Sequence, residues 1–140
     1  MVMTHSFSWS VRVYYEDTDA AGVVYYANYL KFLERARTEW LRALGFEQDV
    51  LRRELGVIFV VRTVTVDYLR PARFNDLLEV VCRLEELNRV SLVFSQEVRY
   101  SGADDQPLCT GKVKVACLDA TTLRPRPLPA NLVTEIRGVE

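Results

Sequence analysis

The chain has 140 residues, so a single domain is the default, and 49% hydrophobic residues give it enough apolar mass for a sizeable core. Eighteen Lys and Arg stand against 19 Asp and Glu, a formal net charge of -1, which argues against a nucleic-acid binder driven by bulk charge but leaves a local phosphate-binding patch open. Cys82, Cys109 and Cys117 form an odd set without a C-x-x-C pair, each inside an apolar strand pattern, so reduced core thiols are expected rather than disulfides or metal ligands. The N-terminus lacks the basic-then-apolar order of a secretory signal, and no uninterrupted apolar run approaches the about 18 residues of a membrane span. A reducing, cytoplasmic setting is the expectation.

Residues 1 to 6 read as a loose end that carries His5, the single histidine. That leaves no histidine for a Ser-His or Cys-His site within one chain. Phe7 to Glu16 alternates as a strand, with Phe7, Trp9, Val11, Val13 and Tyr15 on one face. An acidic loop follows, turned at Gly22. Tyr29, Phe32, Leu33, Ala36, Trp40 and Leu44 then recur at intervals of three and four, the spacing of one buried helical face, and Gly45 supplies the stop. A short helix is predicted over Glu47 to Leu55.

Gly56 to Leu69 is rich in β-formers and apolar on both faces in its first half, which predicts a buried strand. After the Arg70-Pro71-Ala72-Arg73 turn, strands are predicted over Leu77 to Leu87, Val90 to Tyr100 and Leu108 to Leu118. A hairpin loop at Ser101 to Asp105 joins the last two. Pro125, Pro127 and Pro129 break the chain, and Ala130 to Arg137 offers Leu132, Val133 and Ile136 to a closing helix. Four long strands joined by short turns favour antiparallel pairing. A curved sheet around one aromatic-rich helix leaves edges to manage, and dimerisation is a common remedy.

The chemistry points to the loop before the long helix. Glu16, Asp17 and Asp19 sit just upstream of a helix N-terminus, with its unpaired N–H groups and positive dipole end. Donors aimed at a carbonyl oxygen, with a carboxylate beside them, are the parts of an acyl-transfer site. On spacing alone, loop acids favoured near a helix start remain the plain alternative. A hard-cation site built on the three acids is a weaker one.

The run Tyr15-x-Asp17-Thr18-Asp19-x-x-Gly22-x-Val24-Tyr25-x-x-x-Tyr29-Leu30-x-x-x-Glu34-x-Ala36-Arg37 resembles the hotdog-fold acyl-CoA thioesterases of the 4-hydroxybenzoyl-CoA thioesterase superfamily. Within that superfamily the chain is most similar to the Tol–Pal-associated, YbgC-type group. Phe59-Val60-Val61-Arg62, Tyr68-x-x-Pro71-Ala72-Arg73, Ser91-Leu92-Val93-Phe94 and Arg124-Pro125-Arg126-Pro127-Leu128-Pro129 extend the likeness over nearly the whole chain.

The resemblance implies an α+β hotdog domain over 1–140, with an antiparallel sheet of five or six strands wrapped around the central helix. It implies a homodimer or dimer of dimers (a homotetramer), with sites at the dimer interface. The substrate would be a short- to medium-chain or aromatic acyl-CoA, with no metal or redox cofactor, because coenzyme A belongs to the substrate. Asp19 matches the family's catalytic aspartate, as nucleophile or general base. The backbone N–H of Tyr26 matches the carbonyl-polarising group, and Tyr15 matches a tyrosine lining the site. Gly22, Val24 and Tyr25 complete the substrate-binding stretch. Arg89 and Ser91 fall where the wider superfamily often holds phosphate, a weak match that leaves solvated surface residues as an equal alternative. Many relatives carry histidine where this chain has Tyr26, and a tyrosine does not replace histidine as a base near neutral pH.

Asp17 is expected to cap or orient the loop. Glu34 and Arg37, one turn apart, are expected to form a structural ion pair near the subunit contact. The aromatic set Trp9, Tyr14, Tyr15, Tyr25, Tyr26 and Tyr29 is expected to be mostly core. The competing functional reading is a non-catalytic binding module for acyl-CoA or acyl carrier protein, which gives Asp19 no role. A hotdog dehydratase is a third reading, for which the active-site histidine is missing.

Overall fold

The computed structural model describes residues 6–102 and 106–138. His5 and the tip of the predicted 101–105 hairpin lie outside them. Five strands form one sheet: β1 (Ser6–Arg12), β2 (Val57–Tyr68), β3 (Leu77–Leu87), β4 (Ser91–Tyr100) and β5 (Cys109–Asp119). Their spatial order is β1-β3-β4-β5-β2, and every pair is antiparallel. The last three strands run as a meander, but β2 pairs with β5 and not with its sequence neighbour β3. The 69–76 segment therefore crosses from one edge of the sheet to the other side of the molecule.

Helix α1 (Asn28–Ala43) lies across one face of this sheet. It buries Tyr29, Phe32, Leu33, Ala36, Trp40 and Leu41 against Leu78, Val80, Cys82 and Leu84 of β3, Phe94 and Val98 of β4, and Val113 of β5. The stop is Gly45, at φ 96°, its N–H bonded to the Arg42 carbonyl. Helix and sheet pack tightly at Gly111, where an added Cβ would stand 2.9 Å from Leu33 Cδ1. Helix α2 (Gln48–Leu55) follows, and α3 (Ala130–Gly138) closes the core with fully buried Leu132 and Ile136. This is the hotdog architecture.

Three local expectations are corrected. The first strand ends at Arg12 rather than Glu16, because Val13 pairs with the 75–76 turn and residues 15–17 wind into a single 3-10 turn. The second strand is not buried. It is the sheet's edge, with Val60, Val61, Val64 and Tyr68 39–46% exposed. An edge strand that is apolar on both faces leaves apolar side chains exposed there. The Glu34–Arg37 pair does not form. The Arg37 guanidinium instead donates to Gln96 Oε1 at 3.0 Å, and Gln96 Nε2 donates to the Leu33 carbonyl at 3.0 Å. Burial holds the Arg37 pKa below its ordinary value. The part-buried guanidinium takes the buried amide, while the exposed Glu34 acts on it only through its charge, which burial outweighs.

Candidate active site

The acidic loop is a tight hairpin. Thr18 bridges Val24, the Asp19 N–H bonds the Val23 carbonyl at 3.0 Å, and the Gly22 N–H bonds the Asp19 carbonyl at 3.0 Å. Ala20, Ala21 and Gly22 form a three-residue loop whose last residue takes φ 80°, a conformation glycine adopts without strain. Asp19 sits at the first position of the turn, where aspartate is favoured because its side chain can bond the backbone two residues on. Here Oδ1 accepts the Ala21 N–H at 2.9 Å. The other oxygen, Oδ2, has no partner among the described residues, and the residue is exposed.

Asp17 behaves differently. It is 5% exposed. Its Oδ2 accepts the Tyr14 N–H at 2.8 Å, and its Oδ1 accepts from Asn28 Nδ2 at 2.6 Å. Its carbonyl takes the Tyr25 N–H at 2.8 Å. Asn28 is the first residue of α1, so one buried carboxylate joins strand end, hairpin and helix start. The orienting role expected for Asp17 is the one seen. Asn28 as its partner was not anticipated, since an asparagine at a helix start reads as a cap.

Tyr26 lies two residues before α1 begins. Its backbone N–H and that of Ala27 have no acceptor among the described residues, whereas the Asn28 N–H returns to the Tyr25 carbonyl at 2.8 Å. The Tyr25 phenol is held above its usual pKa, first by the adjacent Tyr26 hydroxyl, then by burial and the Asp19 charge. The hairpin tip and the helix approach thus share one electrostatic neighbourhood.

Beside it is a cavity of about 240 Å³ lined by Val24, Tyr26, Tyr29, Tyr68, Leu69, Arg70 and Pro71. Tyr68 meets Tyr26 edge-on at 6.1 Å and Tyr29 at 5.5 Å between ring centroids. The Tyr29 hydroxyl accepts the Ala72 N–H at 3.1 Å. Tyr68 was missed from sequence because it falls in a strand pattern 42 residues beyond Tyr26. Its signal was the Tyr68-x-x-Pro71-Ala72-Arg73 run.

The remaining expected site residues scatter. Val24 is buried, and its N–H bonds the Ala72 carbonyl at 2.8 Å, so it fastens the hairpin. Tyr15 is 76% exposed and stacks on Phe74. Tyr14, Tyr25 and Tyr26 are exposed as well, so within one chain the aromatic set is not core except for Tyr29 and part of Trp9. Arg89 and Ser91 stand at the β3–β4 turn, the far end of the sheet from the hairpin, which packs at the Leu77 and Tyr100 end. Ten residues of β4 separate the two ends, roughly 33 Å at strand rise. Ser91 is 6% exposed, and its Oγ accepts from Asn88 Nδ2 at 3.2 Å, which closes the turn. One chain does not bring Arg89 or Ser91 to Asp19.

The hairpin thus carries a carboxylate with one oxygen unbonded among the described residues, and the segment that follows it carries two N–H groups without an acceptor and one wall of the cavity. Residues 13–136 match the thioesterase-like superfamily, and the chain belongs to it. Among its relatives, the acyl-CoA thioester hydrolase YbgC of Escherichia coli O157:H7 is 48% identical over 134 residues, spanning 96% of this chain and 98% of its own. The acyl-CoA thioesterase YbgC of Haemophilus influenzae is 44% identical over 128 residues, 91% of this chain and 92% of its own. A probable thioesterase of Bartonella henselae superposes with a TM-score of 0.83 at 34% identity, over 89% of this chain and all of its own.

Proposed function

We propose that this chain hydrolyses acyl-CoA thioesters to free acid and CoA. The observation that carries the reading is the pairing of Asp19, with its unbonded Oδ2, and the acceptor-free N–H groups of Tyr26 and Ala27 before α1. The thioester oxygen sits on those N–H groups, and negative charge developing there is met by donors already in place. Loss of one such donor costs about 100- to 1000-fold in rate. Asp19 then acts in one of two ways. As a nucleophile, its carboxylate oxygen bonds the carbonyl carbon, the thiolate of CoA leaves and takes a proton, and water splits the mixed anhydride. As a general base, it takes a proton from water, which attacks directly. Either route uses no metal or redox cofactor.

The acyl group, a short to medium chain or an aromatic ring, lodges in the tyrosine-lined cavity beside Tyr26 and Tyr25. Tyr68, at the sheet edge, places that cavity against the surface a second copy would cover. Antiparallel pairing of β2 with its own copy would continue the sheet and reverse the ends, so Arg89 and Ser91, which one chain keeps from Asp19, would approach the site only from the second copy. The protein works in this reading as a homodimer or dimer of dimers in the cytoplasm, and an acyl carrier protein is a further candidate partner. No described helix is long and apolar enough to cross a membrane.

The test is thiol release from a panel of acyl-CoAs, acetyl to palmitoyl plus benzoyl and hydroxybenzoyl, by wild type and Asp19→Asn. Turnover by wild type that falls at least about 100-fold in the variant supports the assignment. Binding of acyl-CoA by both proteins with turnover by neither replaces it with the non-catalytic module.

A further inference from the structure

Tyr15 and Phe74 stack with ring centroids 3.9 Å apart and planes 8° from parallel. Every other ring pair among the described residues is tilted or edge-on, at 53° to 89°. The stack is also exposed, with Tyr15 76% and Phe74 42% accessible. Its backbone is held firmly. The Arg12 guanidinium donates to the Asn75 carbonyl at 2.7 Å, the Asn75 N–H bonds the Val13 carbonyl at 2.9 Å, and Arg73 N–H donates to Asp76 Oδ2 at 2.8 Å. Asn75 takes φ 71° to make the turn. Two loops are thus pinned so that one ring backs the other, which leaves the outer face of Tyr15 open to solvent. Nothing in the hydrolytic step uses that face.

The place of the stack completes the picture. Asp19 is four residues from Tyr15, at most about 14 Å of chain. The tyrosine-lined cavity, residues 68–71, lies on the chain just before Arg73 and Phe74, and Val23 of the hairpin bridges Arg73. The stack therefore stands within chain reach of both Asp19 and the cavity, with exposed Arg73 beside it. A thioester of CoA carries, beyond its acyl group and thioester, a flexible arm that ends in a purine with phosphates.

We propose that the open face of Tyr15, backed by Phe74, is the seat of the CoA adenine, and that Arg73 supplies a cation at its rim. The proposal rests on the acyl-CoA reading above. A planar base on an aromatic platform is sequence-tolerant stacking, and removal of such a platform weakens binding by about tenfold. Phe74 acts as a positioning residue, because it fixes the plane of Tyr15.

The experiment compares acyl-CoA with the same acyl group on pantetheine, which lacks the nucleotide. For wild type, kcat/KM should favour acyl-CoA. In Phe74→Ala that preference should shrink about tenfold, through KM more than kcat, and Phe74→Tyr should restore it. Adenosine 3′,5′-bisphosphate should compete with acyl-CoA for wild type and about tenfold more weakly for Phe74→Ala. Urea unfolding verifies that the variant folds. Equal losses on both substrates, or no loss, overturn the proposal while leaving the hydrolase reading in place. A Phe74→Ala protein that changes its sedimentation and loses both substrates alike also overturns it, since the stack would then be a contact between copies. If wild type cleaves no thioester, the hydrolase reading falls, and calorimetric titration with the bisphosphate still decides the platform.

Discussion

Asp17 and Asp19 stand two residues apart and do opposite work. Asp17 is buried and holds Tyr14 N–H and the Asn28 amide; Asp19 leaves one oxygen to solvent. Asp17→Ala should therefore lower stability by about 1 to 3 kcal/mol, because a buried amide and a part-buried N–H lose their acceptor, and urea unfolding will read it. Asp19→Asn should leave the urea midpoint where it is while turnover collapses. How far these roles were legible depends on the kind of contact. Gly22 marked the hairpin turn, since turn chemistry is local. Such local signals did not give the Asp17–Asn28 bond or Tyr68, both of which depend on how distant segments meet. The side-chain direction of Tyr15 was read from strand alternation, which fails where the chain leaves the strand at Arg12.

At the scale of the element, the lesson is β2. Its composition predicted a buried strand, and the structure puts it at the sheet's edge. Apolar side chains on both faces fit a central strand or an edge strand that meets another molecule, and sequence alone does not separate the two. The topology does, because β2 pairs with β5 and nothing else among the described residues. Val64 faces the α1 side of this strand opposite Val113, and it is 41% exposed. If β2 meets its own copy, Val64→Asp should shift the protein to monomer in sedimentation velocity and reduce turnover with it, while the monomer keeps its far-UV spectrum. A monomeric wild type would sink that expectation. By contrast, α1 was legible almost to the residue, since its 3.6-residue period and terminal glycine are both local signals.

For the whole molecule, the core imposes a pH limit. Burial pushes the Cys82 and Cys109 thiols up to about 12 each, and it raises Cys117 as well. A thiol raised in the folded state keeps its proton after the unfolded chain has lost it. The stabilisation is complete below the unfolded value near 9 and drains away as pH rises toward 12. Each thiol then adds a slope of at most about 1.4 kcal/mol per pH unit. Urea midpoints should be flat through pH 8 and fall steeply above pH 9, and Cys82→Ala should soften that fall. A midpoint that holds level to pH 11 would contradict it. The three thiols should also resist a disulfide reagent at pH 8 until the chain unfolds.

The division between the two aspartates has one more consequence, for how such a site can change. The hairpin is fastened chiefly through Asp17, Gly22 and the bridge to residues 72–73, and the side chain at position 19 adds one bond, Oδ1 to the Ala21 N–H. Position 19 is thus a socket that another residue able to accept that N–H can occupy with little effect on the frame. Variation there would trade one reactivity for another on an intact scaffold, so new chemistry could arise in this loop without first passing through an unfolded ancestor.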